Sequence, residues 1–308
     1  MLKRFTTPKA PAASISFPDR AVTMLEIAKR RGSFVLKHYA STQVDSNLLA
    51  PSFDRANIVD EQAFARHLAD TAQLAGLMRN RKWSASLPEQ TVRTAIISLD
   101  GEIDDREQMQ EVINWRIERV MGCGAEELRL SQQRLSKVNG QVRFLVTAAR
   151  REVIEQYEKI FTAMGWQVGM IYPRHLAEAQ WLSWDRTAGA KILVTGNDQW
   201  ITVVILSNEE PLLVRSIECD PQGRADELFR VIQYYRDRLV GDKPTLVSSV
   251  MVVGESPSAQ ETRQIISEIL NQQPEIIDAS HTGLDFGGNQ IAFNKMAAAA
   301  GLASSAYI

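Results

Sequence analysis

The sequence predicts an α/β protein of two domains, in which one strand-strand-strand-helix unit is used twice and the first copy is interrupted by a small α+β insert. Three observations carry this. The chain has 308 residues, about two domains at a prior of roughly 150 residues each. A run of three strand-like segments followed by an amphipathic helix begins near Ser14 and again near Lys191. Between the two runs lies an Asn139-Gly140 hairpin signal that fits neither of them.

In chain order, residues 1–12 are basic and carry Pro8 and Pro11, which suits a flexible tail, with ordered structure expected from Ala13. Segments 14–17, 21–28 and 33–44 read as an antiparallel meander turning at Pro18-Asp19-Arg20 and at Lys29-Arg30-Arg31-Gly32. Over 60–75 the apolar Phe64, Leu68, Ala72 and Ala75 recur at helical spacing, and Gly76 stops the helix. A new unit is expected from Trp83, with a strand over 92–99 and a helix over 104–121 whose core stripe is Met109, Val112, Ile113, Ile117 and Val120. Strands 128–135 and 142–149 follow, joined at Val138-Asn139-Gly140-Gln141. Residues 150–164 place Val153, Tyr157, Ile160, Phe161 and Met164 on one helix face ahead of Gly165. A strand over 167–172 and a short helix over 175–184 complete the first half. The second half repeats the meander at 191–195, 199–206 and 212–218, then a helix over 224–239, a strand over 248–253, a helix over 258–271, a strand over 275–277 and an Ala-rich helix over 294–302. The expected division is therefore 1–12 tail, 13–82 with 165–187 as the first domain, 83–164 as the insert and 188–308 as the second domain.

Composition narrows the function classes. Hydrophobic residues at 44% and charged residues at 23% describe a folded globular chain rather than a disordered or fibrous one. A net charge of −2 gives no global field toward nucleic acid or an anionic membrane. Cys123 and Cys219 have no Cys or His at metal-ligand spacing, so two unpaired thiols in a reducing compartment are expected, with no metal. The first 18 residues hold no apolar core of a secretory signal, and no run of 18 apolar residues occurs, so a cytoplasmic location is expected, with membrane contact only through a partner. His38, His67, His175 and His281 occur singly and no G-x-S-x-G context exists, which argues against hydrolase chemistry. Asp104-Asp105 and Glu126-Glu127 suit a helix start and a turn. Arg150-Arg151 and the run Arg79, Arg81, Lys82 read as solvated charge, with phospholipid or an acidic partner as the other reading. Of Tyr234 and Tyr235, one ring belongs in an interdomain core and one at the surface.

Several segments together resemble a known family. They are Phe144-Leu145-Val146-Thr147-Ala148-Ala149-Arg150-Arg151-Glu152-Val153-Ile154 running into Ala163-Met164-Gly165-Trp166; Leu87-Pro88 with Val92-Arg93-Thr94 and the helix bearing Trp115; and, downstream, 212–217, 224–239 and Ala298-Ala299-Ala300-Gly301-Leu302. Over residues 12–303 the chain resembles the type IV pilus assembly protein PilM family. That resemblance implies an actin-like (ribonuclease H-like) two-domain fold related to the cell-division protein FtsA, with an insert of the SHS2-like kind called subdomain 1C.

In such folds each domain's first hairpin offers a D-x-G segment to the phosphates and metal, and a third Gly-rich turn backs the adenosine. Here Ser16 stands where the first Asp is expected and Pro18 where its Gly is expected. In the second hairpin Gly196 is kept, Val194 replaces the Asp, and Asn197, Asp198, Gln199 and Trp200 follow instead of small residues. The third turn keeps Gly254. A proline removes a backbone N–H and crowds the approach of phosphate, and without carboxylates Mg²⁺ has no anchor. The resemblance thus implies a vestigial ATP pocket at Ser16, Pro18, Gly196, Asn197 and Gly254, no cofactor, and a pseudo-ATPase. The alternative is a true actin-like ATPase whose Mg-ATP binding switches pilus assembly, with Asp19 or Asp198 as its carboxylate; the bland reading of Asp19 is a solvated turn residue.

The family's partner, the cytoplasmic N-terminal tail of the membrane protein PilN, docks between the first domain and the insert. Trp115, with Val112 and Arg116 on the same helix, is the candidate partner-binding group there, set against plain core packing. The expected function is a non-catalytic cytoplasmic adaptor of a type IV pilus or related inner-membrane assembly platform, peripheral at the membrane through a PilN-like partner. Other platform proteins are further partners, homo-oligomerisation is left open, and nucleic acid is not expected. A cytoplasmic domain of a type II secretion platform is a further alternative, and an FtsA-like membrane-binding filament a weaker one, since residues 301–308 form no basic amphipathic helix.

Overall fold

The computed structural model describes residues 10–18, 20–101, 105–138, 140–197, 199–240, 246–286 and 291–307. Most of the expected tail, and Asp19, Asp104, Asn139 and Asp198, lie outside the described residues.

The first meander is β1 (Ala13–Ser16), β2 (Ala21–Arg30) and β3 (Ser33–Gln43). Helix α1 (Glu61–Leu74) starts where the Asp60 carboxylate accepts from the Ala63 N–H at 2.9 Å, and it buries Phe64, Leu68 and Ala72 on the sheet. Strand β4 (Lys82–Leu87) then lies parallel to β1. The insert comprises β5 (Arg93–Leu99), α2 (Arg106–Met121), β6 (Leu128–Val138) and β7 (Gln141–Arg150), with sheet order β5-β7-β6 and α2 packed across it through Ile113, Ile117 and Met121. Helix α3 (Arg151–Ala163) and strand β8 (Gln167–Pro173) return to the first sheet, and α4 (Arg174–Ala179) leads out of it. The second domain is β9 (Ala190–Asn197), β10 (Trp200–Ser207), β11 (Glu210–Glu218), α5 (Arg224–Tyr234), β12 (Val247–Val253), α6 (Ala259–Leu270) and β13 (Glu275–Ile277). Strand β14 (Leu284–Asp285) and helix α7 (Ala297–Ser304) close the chain.

The repeat is visible in the topology. The first sheet runs β14-β3-β2-β1-β4-β8 and the second β11-β10-β9-β12-β13, so each has a meander whose first strand is followed by two parallel ones. A parallel neighbour needs a crossover, which α1 supplies before β4 and α5 before β12.

Several boundaries differ from the expected ones. Strand 82–87, read as the start of the insert, is a central strand of the first sheet, flanked by β1 and β8. Helix α3, also assigned to the insert, packs Val153, Tyr157 and Phe161 into the core of Phe64 and Leu68. Both contain apolar runs whose partners are distant in sequence, so periodicity gives their type and not their address. Ala10 is buried and the Ala12 carbonyl accepts from the Ile27 N–H at 3.2 Å, so the described end of the expected tail is tied to β2. Val120 is 54% exposed, and Met121 takes its place in the insert core. The helix over 224–239 changes at Tyr235 into a π-helical turn. Tyr235 is buried in the second domain's own core rather than between domains, while Tyr234 is exposed.

The C-terminal segment ties the halves together. Strand β14 pairs with β3, at the far edge of the first sheet. All eight residues of α7 are buried, against β1, β2, β4 and α4. Small side chains allow this: a Cβ on Gly301 would lie 2.1 Å from the Ala177 carbonyl oxygen, so the two helix backbones touch. Ser14 Oγ donates to the Ala299 carbonyl at 2.7 Å, and Trp181 Nε1 to the Ala297 carbonyl at 2.9 Å.

Candidate functional site

The five residues of the expected nucleotide pocket fall in two places. Ser16 ends β1 with its hydroxyl buried, and Phe17 after it stacks in the core with Phe64 and Tyr157 at ring distances of 6.1 and 5.6 Å. Pro18 is buried too, and its carbonyl accepts from the Ala21 N–H at 2.8 Å, closing a tight turn. A turn packed this way offers a phosphate little free N–H and no carboxylate among the described residues.

Gly196, Asn197 and Gly254 do come together. Asn197 Oδ1 accepts from the Gln199 and Trp200 N–H groups at 3.2 and 3.0 Å, so the donors a phosphate would use at this hairpin are satisfied by the hairpin itself. Gly254 has φ +139°, and a Cβ there would lie 2.9 Å from the Gly196 carbonyl oxygen; a Cβ on Gly196 would lie 2.9 Å from the Ser256 carbonyl oxygen. The buried Arg224 guanidinium donates to the carbonyls of Asn197 and Ser256. The two glycines therefore serve a close backbone crossing locked by Arg224. These residues do not fit an Mg-nucleotide: the turn donors are used, the space beside Gly196 holds a guanidinium, and Val194, fully buried in the sheet, cannot act on a metal. No group of three or more metal-ligating side chains occurs among the described residues.

Sequence reasoning missed the polar joint between the domains. Glu89 follows β4 in a single turn of 3-10 helix and is almost wholly buried. Its carboxylate accepts from Thr202 Oγ1 at 2.8 Å and Ser216 Oγ at 2.6 Å, on β10 and β11, while its other oxygen meets His175 Nδ1 at 2.8 Å. Burial alone would raise its pKa. The charge and hydrogen bond of His175, with the Ser216 and Thr202 hydroxyls, outweigh that and hold it at about 2. One turn along α4, Arg174 and Glu178 form a buried pair at 2.8 Å. There burial prevails over the Arg174 charge and the Glu178 pKa is raised. A Glu two residues after Leu87 looks like any surface Glu, and only the second domain's approach buries it.

Beside this joint opens a cleft of about 1090 Å³. Its walls are the outer edges of β5 and β11, each the terminal strand of its own sheet and unpaired with the other. Alternate N–H and C=O groups of such edges point away from their sheets and await a partner. The insert and the second domain are also bonded directly: Arg143 Nη2 on β7 donates to the Pro211 and Leu212 carbonyls at 2.8 and 3.3 Å, and the Ser136 N–H donates to Glu210 at 2.7 Å. Ile96, Leu213 and Tyr234 supply apolar wall, and exposed Arg215 and Arg238 supply positive charge.

Of α2, only Val120 lines this cleft. Val112 is half-buried on the insert core, Arg116 is half-buried, and Trp115 is 53% exposed on another flank, its ring covered by the Arg119 guanidinium at 4.9 Å. Val120, read from sequence as core, lines this cleft; Trp115, the anchor candidate for a groove between the first domain and the insert, lies outside this cleft between the insert and the second domain. The rotation of α2 about its axis, set by how the insert docks, is not contained in the spacing.

No family profile matches the sequence, and no curated protein matches it. Among solved structures, the PilM-PilN type IV pilus biogenesis complex matches at 17% identity with a TM-score of 0.75, over 98% of this chain and all of the compared chain. A Bacteroides thetaiotaomicron protein of actin-like ATPase fold and unknown function matches at 12% identity and a TM-score of 0.52, over 89% and 93%. The cytoplasmic domain of EpsL, an inner membrane component of the Vibrio cholerae type II secretion system, matches at 10% identity and 0.48, over 92% of each chain. The fold is actin-like, as the resemblance implied. No helix among the described residues is long and apolar enough to cross a membrane.

Proposed function

We propose that this chain is a non-catalytic, actin-like adaptor of a type IV pilus assembly platform, which holds the extended N-terminal tail of a PilN-like membrane protein in the cleft between the insert and the second domain. One observation carries the reading: a cleft of about 1090 Å³ is walled by two unpaired strand edges with apolar side chains between them, a geometry that takes an added strand by main-chain hydrogen bonds. The solved complex it matches over its whole length is named for PilM with PilN. The Glu89 joint supports it further, because it holds β10 and β11 against the first domain and so keeps one wall in place.

The adaptor reading gives Arg224 and Asn197 a structural task. Chemistry on ATP has no part in it, since the hairpin donors are used internally and the phosphate approach is filled. The protein works at the inner face of the membrane, held there by the tail it binds.

The test is calorimetric titration with a synthetic tail of the PilN-like protein from the same organism, beside thermal unfolding with Mg-ATP. The tail is expected to bind and to raise the unfolding midpoint, since a ligand at 100 times its Kd stabilises the folded state by about 2.7 kcal/mol. Ile96→Glu or Leu213→Glu, on the two facing edges, is expected to weaken the tail at least about tenfold. A magnesium-dependent rise with ATP would overturn the reading in favour of the nucleotide switch, and a tail indifferent to both edge variants would overturn the cleft as its site.

A further inference from the structure

The opposite end of the first sheet carries a second surface. Strands β1, β4 and β8 run parallel and end at the cleft side, so their first residues, with Lys82 opposite Gln167, mark the other end. Strand β2 runs antiparallel to β1, which brings its turn into β3, at Arg30 and Arg31, to that same end. The loop from α1 into β4 also runs there, because it delivers the chain to Lys82. The topology thus gathers Arg30, Arg31, Arg79, Arg81 and Lys82, all exposed.

Among the described residues none of these five forms an ion pair, and the one recorded bond of the Arg81 guanidinium is to the Met78 carbonyl at 3.5 Å. The chain as a whole carries −2, so this end is a local reversal of its charge. Two apolar side chains stand out among the cations: Leu74 is 69% exposed and Met78 48%. Both lie on or just after the last turn of α1, where the run of helical spacing ends and nothing covers them.

We propose that this end of the first domain is a docking surface for an anionic lipid bilayer, with the five cations against the headgroup phosphates and Leu74 and Met78 in the interface. The occupant follows from the chemistry. A bilayer surface takes positive charge and apolar side chains together. A nucleic acid would be met by exposed stacking platforms, whereas aromatic rings toward this end are packed on one another, Phe34 on Trp184 at 4.8 Å with Lys29 over both, Phe34 on Tyr307 at 6.0 Å and Trp83 on Trp166 at 5.0 Å. The proposal departs from the expectation that membrane contact runs only through a partner, and it does not rest on the peptide reading.

The experiment is flotation of the full chain with phosphatidylcholine vesicles, with and without phosphatidylglycerol, at low and high salt. Binding is expected with phosphatidylglycerol only, and it should fall steeply with salt. Each cation near an anionic surface is worth about fivefold in partitioning, so Arg79→Ala/Arg81→Ala/Lys82→Ala is expected to lose roughly 100-fold. Leu74→Ser/Met78→Ser should lose several-fold without changing the salt dependence. All five side chains are exposed, so unchanged unfolding midpoints will show that these variants still fold. Equal flotation with both lipid compositions, or a triple variant that floats like the parent, would overturn the proposal. Capture of a single-stranded oligonucleotide or an acidic peptide that the triple variant loses, with no vesicle binding by the parent, would overturn it in favour of that partner.

Discussion

The two domains meet along a closed seam and along an open one, and the contrast is instructive. At the closed seam α7 presents Ala and Gly to α4 and to Ser14 on β1, and the chains approach until backbone meets backbone at Gly301 and Ala177. At the open seam β5 and β11 bring larger side chains, and their edges stay unpaired around a cleft of about 1090 Å³. Glu89 sits between the two and fastens β10 and β11 to the first domain. Close packing down to backbone contact gives a joint with no room to adjust, whereas a sheet edge left without a neighbouring strand keeps main-chain N–H and C=O groups that a further strand can pair with.

The sharpest way to break this comparison is at Gly301. An added methyl meets a carbonyl oxygen of another helix, which cannot rotate aside, so Gly301→Ala is expected to cost about 3 kcal/mol or more in denaturant unfolding. A loss below about 0.5 kcal/mol would mean that the seam is slack.

Next is the joint. Glu89→Ala leaves the His175 ring and two hydroxyls facing a hole, at an expected cost of about 3 kcal/mol. Its pH signature has a definite sign. The folded carboxyl titrates at about 2, below its ordinary 4.5, so its contribution is fully present above that ordinary value and is lost as pH falls toward 2. Glu178, raised by burial, acts the other way and stabilises as it takes up a proton. Stability against pH should therefore fall less steeply between pH 4.5 and 2 in Glu89→Ala than in the parent, and parallel curves would refute the joint.

A smaller effect is expected at Asn197. Alanine there frees the Gln199 and Trp200 N–H groups at the surface, costing about 1 kcal/mol. If Asn197→Ala also gained a thermal shift with Mg-ATP, the hairpin would be a phosphate loop held shut by that side chain.

Trp115→Ala should do least. The ring is half exposed and lies outside the cleft, so stability is expected within about 0.5 kcal/mol of the parent and tail binding unchanged. A tenfold loss of tail affinity would instead move the binding site to the outer flank of α2.

Local pattern was enough to read the meanders, the helices and the repeated order of the halves, because strand alternation, helical spacing and turn residues such as Gly76 and Gly165 are written over a few positions. The residues at the two hairpin positions are read directly from the sequence, Ser16 and Val194 where the resemblance expects carboxylates and Pro18 where it expects glycine. Addresses were less legible. Helical spacing identifies 150–164 as a helix, and residues 83–87 mark a new unit, yet both are assigned to the insert although their apolar faces belong to the first core.

By itself, then, the sequence determined the kinds of element, their order and the absence of carboxylates at Ser16 and Val194, all of which depend on residues close in the chain. Only tertiary structure decided which face of α2 would be covered, that Glu89 would be buried against Thr202 and Ser216, and that β5 and β11 would face each other unpaired. Those outcomes depend on how separately folded units dock. Docking is governed by shape and by polar groups far apart in sequence, which local spacing does not encode.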